Sequence, residues 1–121
     1  MVDFAFGRYT TKHKSISATS GSGSADVVYT VPPRYLSQIT FLLVGNGGSA
    51  TKKIYVQRYI AESTSYAHII NGMDILQYNV ASVVDGSTLS LKAGDKICAY
   101  MEAGATFDIT LSATEYYNPA G

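Results

Sequence analysis

The chain has little of what most chemistry and most covalent cross-linking require. One cysteine, Cys98, stands in 121 residues, so no disulfide can close within the chain. Its strand-like, apolar setting marks it as a small buried hydrophobe. The two histidines, His13 and His68, lack any HxH, HxxxH or HxxE companion, which argues against a metal centre. No GxSxG turn presents a serine nucleophile, and Gly21-Ser22-Gly23 reads as linker. The carboxylates Asp74, Asp85, Asp95 and Asp108 are scattered, and Asp85-Gly86 and Gly94-Asp95 read as turns. No segment of helix length carries a 3.6 period, so no glycine loop can cradle a phosphate at a helix start. The expectation is a protein that is not an enzyme and uses no cofactor or metal.

Charge is scarce as well. Charged residues make up 15% of the chain, nine basic against nine acidic, where about 25% is ordinary. Lys12 with Lys14 and Lys52 with Lys53 form two small clusters, not the basic stripe that counterion release rewards. Nucleic acid is therefore not an expected partner. No run approaches the ~20 apolar residues of a membrane span. The start, MVDFAFGRYTTKHK, lacks the charged-then-apolar pattern of a secretory signal. The expected setting is a reducing cytoplasm, with no membrane association. Tryptophan is missing, but ten tyrosines and many serines and threonines supply hydrogen-bonding surface. Such an exterior suits close contact with other protein, although sparse charge is also a habit of β-proteins.

What the chain does have is alternation. Phe107, Ile109, Leu111 and Ala113 alternate with Asp108, Thr110, Ser112 and Thr114, and Ile97, Ala99 and Met101 alternate in the segment before them. With Leu89 and Leu91 ahead of Lys92-Ala93-Gly94-Asp95, the last third reads as an antiparallel meander. Val27 to Val31 forms a strand that Pro32-Pro33 ends. Tyr35 to Val44 is the most apolar segment, with Ile39, Phe41 and Leu43 expected inward and Leu42 and Val44 opposite. A strand apolar on both faces is central in a sandwich or covered by another subunit. Gly45 to Ser49 turns the chain into a strand over Thr51 to Ile60, with Ile54 and Val56 inward. A short strand over Ala67 to Ile70 is expected to stop at Asn71-Gly72, and Met73 to Tyr78 is irregular or strand. Hydrophobic residues at 46% support a core without disulfide or metal. The reading is an all-β antiparallel sandwich, jelly-roll-like, with Phe41, Leu43, Ile54, Val56, Ile97, Phe107, Ile109 and Leu111 in its core.

Residues 1–24 read as an N-terminal arm with a Gly/Ser hinge at Ser20 to Ser24, ahead of a sandwich over 25–121. Thr10 to Ile16 has the β-branched content to add a strand to an open sheet edge, in a partner or as the sandwich's own first strand. Phe4, Phe6 and Tyr9 at one end and Tyr116 and Tyr117 at the other are interface candidates, since tyrosine and phenylalanine concentrate at interface centres. Lys12 and Lys14 join them as residues for an acidic partner surface. Packing onto the rim of the same sandwich is the alternative for all of these aromatics.

Val28-Tyr29-Thr30-Val31-Pro32, Ile39-Thr40-Phe41-Leu42-Leu43-Val44 with Asn46, and Leu89-Ser90-Leu91-Lys92-Ala93-Gly94-Asp95-Lys96-Ile97 together resemble small structural proteins of tailed bacteriophages. The resemblance covers about residues 26 to 113. The chain departs from that pattern at Pro33-Arg34, where a Pro-Ala-Gly or Pro-Pro-Gly turn is common, and in its extra N-terminal segment. The resemblance implies a non-enzymatic virion component on a β-sandwich, with no catalytic residues to carry over. A capsid decoration (cement) protein on the outside of the head, bound to the major capsid protein and homo-oligomeric with a trimer expected, is the first reading. A tail- or fibre-associated receptor-binding or adaptor module is the alternative, and a carbohydrate-active or other small enzyme stands behind both.

Overall fold

Among the described residues, period-2 alternation becomes nine strands and no helix. The structure is a computed structural model and describes residues 7–16, 26–84, 88–101 and 106–119. The strands are β1 (Arg8–Ile16), β2 (Asp26–Thr30), β3 (Tyr35–Asn46), β4 (Lys52–Ile60), β5 (Ser65–Ile75), β6 (Val80–Val84), β7 (Leu89–Leu91), β8 (Lys96–Met101) and β9 (Phe107–Tyr117). They form two antiparallel sheets. One runs β1-β9-β3-β6, with β7 also on β3, and the other runs β2-β8-β4-β5. β7 and β6 share one edge of β3, along Ser37–Ile39 and Leu42–Gly45. Of the consecutive strands, β4 and β5 pair as a hairpin, while most other connections cross between the sheets. This is the wrapped sandwich of a jelly roll.

The expected meander at the end of the chain is corrected by this topology. β7 and β9 lie in one sheet and β8 in the other, so none of the three pairs with the next. The turn between β7 and β8 does the redirecting. Gly94 takes φ 86°, a conformation open to glycine, and the amides of Gly94 and Val31 tie the turn to the end of β2. Asp95, buried, accepts the backbone N–H groups of Lys92 and Ala61, each at 3.0 Å. A carboxylate satisfied by amides on both sides of the sandwich fixes the crossover rather than a hairpin.

The core fills the space between the sheets with Ile39, Leu42, Val44, Leu91, Phe107, Ile109 and Leu111 from one and Ile54, Val56, Ile97, Ala99 and Met101 from the other. Six of the eight expected core residues are there. Phe41 and Leu43 are not: Phe41 is 37% exposed and Leu43 half-buried. The cause is a β-bulge between Ile39 and Phe41. One extra residue flips every later side chain to the opposite face, so Leu42 and Val44 turn inward in their place.

Two further expectations change. Asn71-Gly72 does not end a strand, because β5 continues through it to Ile75. Gly72, at φ 80°, lies under the Tyr55 ring, and a Cβ there would stand 3.1 Å from that ring. Residues 8–16, expected in an arm that leaves the sandwich, form its outer strand β1, in register with β9 from Arg8↔Glu115 to Ile16↔Phe107. The alternative of a first strand is the one observed. The Gly/Ser run from Ser20 to Ser24 lies outside the described residues. At Pro33-Arg34, Arg34 takes φ 66° where the phage pattern would favour glycine, in a turn closed by Tyr35 N–H on Pro32 O at 3.2 Å.

Candidate interaction surfaces

Titratable groups come first, because chemistry would need them together. Among the described residues no group of three or more His, Cys, Asp or Glu is placed to hold a metal ion. His13 stands exposed 3.5 Å from Asp108 on one sheet, and His68 lies on the other, 3.0 Å from the Tyr100 hydroxyl. Cys98 is buried in β8, and burial pushes its thiol pKa up, against a smaller lowering by Lys96. A thiol held protonated in this way is a poor nucleophile.

The most heavily coupled polar cluster ties the sheets together. Glu115, buried on β9, accepts Arg8 Nε at 2.8 Å through one oxygen and the Tyr29 hydroxyl at 2.5 Å through the other. The Ser37 hydroxyl lies within hydrogen-bond distance of Tyr29, at 2.9 Å. Arg8 also covers the Tyr35 ring, 4.2 Å from its centroid, and Tyr35 meets Tyr117 edge-on at 5.6 Å. Burial raises the Tyr29 pKa far above its ordinary value, and the hydrogen bond to Glu115 raises it further, since ionisation would set two anions together. The neutral phenol belongs to the fold, so this stability is complete below about pH 10, the unfolded value, and is lost as pH rises above it. Unfolding titrations should therefore show a decline above about pH 10 that is weaker in Tyr29→Phe. Equal alkaline loss in both proteins would assign the effect elsewhere.

The expected interface residues are scattered across this architecture. Phe4 and Phe6 lie outside the described residues. Tyr9, 85% exposed, projects from β1 on the outer face of its sheet, in register with Thr114. Lys12 is exposed but registers with the buried Leu111, so it points to the opposite side, where a charge on an edge strand discourages further pairing. Lys14 registers with Ile109. Tyr116 sits beside Gly7, whose backbone approaches its ring so closely that a Cβ would lie 3.0 Å away. Tyr117 packs on Tyr35, so it belongs to the rim of the sandwich.

Three surfaces emerge that sequence reasoning did not assemble. The outer face of the β1-β9-β3-β6 sheet carries Leu36, Phe41 and Val80, all exposed, beside Leu43, Thr110, Ser112 and Thr114. Strand β3 contributes no charge to it over its twelve residues. The outer face of the other sheet carries an aromatic ladder. Tyr55 and Tyr100 stack at 4.5 Å, His68 meets both edge-on, and Tyr66 tilts on Tyr59 at 5.0 Å. Cross-strand aromatic pairs of this kind stabilise a sheet while offering ring edges to a partner.

The third surface is a pair of features at opposite ends of β3. At the Leu36 end is an open groove of about 890 Å³, walled by Leu36, Ile60, Leu91, Ala93 and Tyr116. Charged side chains line it as well: Arg58 stands 3.7 Å from Asp95 and donates to Ser90 O at 3.2 Å while its buried Nε has no hydrogen-bond partner among the described residues, and exposed Lys92 lies 3.5 Å from exposed Glu62. At the Asn46 end, the turn from β5 to β6 holds Leu76, Tyr78 and Val80 out in solvent at 62%, 71% and 64% exposure. Buried Asn46 clamps that turn, its backbone N–H on Asn79 O at 2.8 Å and its side-chain amide on Ile75 O at 2.9 Å. Tyr78 takes φ 56°, a left-handed conformation that costs a non-glycine residue about 1–2 kcal/mol.

No family model matches the sequence, and no curated protein matches it. Solved structures similar to this chain include one described as Bacillus endospore appendages that form a novel family of disulfide-linked pili, at 13% identity and TM-score 0.49, covering 93% of this chain and 89% of that one. Another is the globular domain of a zebrafish complement 1qA protein, at 10% identity and TM-score 0.44, covering 86% and 94%. A third is the Eiger TNF of S. frugiperda, at 12% identity and TM-score 0.41, covering 91% and 94%. At such identities none of the three bears on what this chain does.

Proposed function

We propose that the chain is a non-enzymatic structural protein of a tailed-bacteriophage virion. It coats the outside of the capsid as a decoration protein, bound to the major capsid protein as a homo-oligomer with a trimer as its closed form. The observation that carries this reading is the outer face of the β1-β9-β3-β6 sheet. A sheet face with Leu36, Phe41 and Val80 exposed and no charge from β3 suits burial against protein more than solvent. The phage-like segments Val28 to Pro32, Ile39 to Val44 and Leu89 to Ile97 supply the virion. In the structure they are β2 with its exit, the strand that builds this face, and the β7–β8 crossover.

The test places a charge in the centre of the face. Phe41 is partly exposed and lies outside the core, so Phe41→Asp should unfold at nearly the wild-type temperature. It should bind empty heads at least tenfold more weakly, a loss of about 1.4 kcal/mol or more. Undiminished binding by a folded Phe41→Asp would remove this face from the contact. The aromatic ladder on the opposite sheet favours a second reading, a tail- or fibre-associated receptor-binding module. That reading predicts that Tyr66→Ala lowers attachment to host cells without changing head binding.

A further inference from the structure

An arginine stands where the alternation of β4 calls for a core side chain. Ile54 and Val56 are buried against the other sheet, and Arg58, next in the same row, registers with the buried Ile97 of β8. Strand alternation therefore carries its side chain inward. β7 covers this part of the sandwich with only three residues, and the open groove lies beside it. We infer that the groove is a binding site for a neutral mono- or disaccharide, held by the Arg58 guanidinium. The inference does not rest on the virion reading.

The hydrogen-bonding capacity of Arg58 is largely unused where it stands. One terminal amine donates to Ser90 O in the other sheet at 3.2 Å, and the buried Nε has no partner among the described residues. Asp95 lies 3.7 Å away, and its two oxygens already accept the amides of Ala61 and Lys92. A guanidinium has donors for several more acceptors, and a buried donor left unmet costs folding free energy. An arginine kept only to tie the sheets would be expected to have those donors met. The side chain is 29% exposed and lines the groove, so the oxygens of a ligand can reach it.

The composition of the groove sets the class of ligand. Two cations, Arg58 and Lys92, and two carboxylates, Glu62 and Asp95, leave it without net charge. A phosphate or carboxylate drawn to Arg58 would meet the Asp95 carboxylate 3.7 Å from it, so an anion gains little. Arg58 donates, the exposed Glu62 carboxylate accepts, and the Ser90 hydroxyl does both. Ile60, Leu91 and Ala93 set apolar surface beside these groups. A sugar ring matches that mixture, because its hydroxyls both give and take hydrogen bonds while its C–H faces are apolar. The volume of about 890 Å³ lies in the range of small-ligand sites.

The site is tested by titrating the isotope-labelled chain, followed by NMR, with glucose, galactose, N-acetylglucosamine and maltose. Glucuronate and inorganic phosphate serve as charged controls. At least one neutral sugar should shift the amide signals of Arg58, Glu62 and Ser90 saturably, with a Kd in the millimolar range or tighter. Arg58→Lys keeps a cation beside Asp95 but loses the planar fork of donors. It should melt like the wild type and bind that sugar roughly tenfold or more weakly. Glu62→Ala, at an exposed side chain, should leave melting unchanged and weaken the same sugar several-fold. The inference is wrong if no neutral sugar binds, or if glucuronate or phosphate binds in their place. It is equally wrong if the shifts fall on the Tyr55 and Tyr100 face, or if a folded Arg58→Lys binds as the wild type does. Should Arg58→Lys melt well below the wild type, Glu62→Ala decides, and undiminished sugar binding by it overturns the site. Head binding is scored separately, and a chain that binds sugar but ignores heads overturns the virion reading and leaves this site standing.

Discussion

A chain truncated to begin at Ser20 should lose cooperative folding or most of its stability. The truncation removes β1, which runs along β9 in nine consecutive register pairs. It also removes Arg8, the cation on the buried Glu115 carboxylate. Stripping a charged partner from a buried carboxylate costs about 3–5 kcal/mol when the pair is fully buried. Arg8 is 57% exposed, so solvent screens much of that and the ion pair is the smaller contribution. The lost ladder along β9 adds to it, and a domain of this size has only about 5–15 kcal/mol to lose. Circular dichroism and urea unfolding of the truncated chain decide the matter. A truncated protein as stable as the full chain would return residues 8–16 to the role of a free docking arm. Arg8→Ala separates the two contributions, since it leaves the ladder in place and should cost only the ion-pair part.

Phe107→Ala should lower the unfolding free energy by about 3–5 kcal/mol. Phe107 is fully buried and is the largest of the side chains in that state, at the start of β9 and opposite Asn46 on β3. Truncation to alanine removes its transfer free energy and leaves a cavity that two rigid sheets cannot easily close. For a domain of this length the melting temperature should fall by roughly 10–20 °C. Phe107→Leu, which refills most of the volume, should cost much less. A loss below 1 kcal/mol for the alanine variant would show that β9 does not face the core as described.

How much of this was legible in the sequence follows from how local each cause is. Strict alternation in β9 and β8 identified Phe107, Ile109, Leu111 and Ile97 as inward, because nothing interrupts the pleat there. The same logic failed at Phe41 and Leu43, since the bulge between Ile39 and Phe41 leaves no mark in residue types: Thr40 is as acceptable in a regular strand as in a bulge. The supposed meander failed for a related reason. A turn such as Lys92 to Asp95 looks alike whether it pairs its flanking strands or carries the chain to the other sheet. The crossover is decided by the amides of Ala61 and Lys92 on Asp95, the first of them thirty-four residues away.

The surfaces were less legible than the core. Arg8 and Glu115 are separated by 107 positions, so no spacing rule could join them. Tyr9 could be seen as an exposed aromatic, but Tyr117 could not be told from a partner-facing residue until Tyr35 was found edge-on to it. The projecting turn at Tyr78 was hidden by its composition. Met73 to Tyr78 reads as irregular or strand, and only the positive φ and the Asn46 clamp reveal a projecting turn.

The proposed virion role is tested most directly by adding the purified chain to empty heads, and separately to isolated tails, of a candidate tailed phage, and sedimenting each mixture. The account predicts saturable binding to heads, a fixed copy number per head, a higher temperature of head disruption, and no binding to tails. Binding to tails alone, or a chain that stays in the supernatant with both, would contradict it.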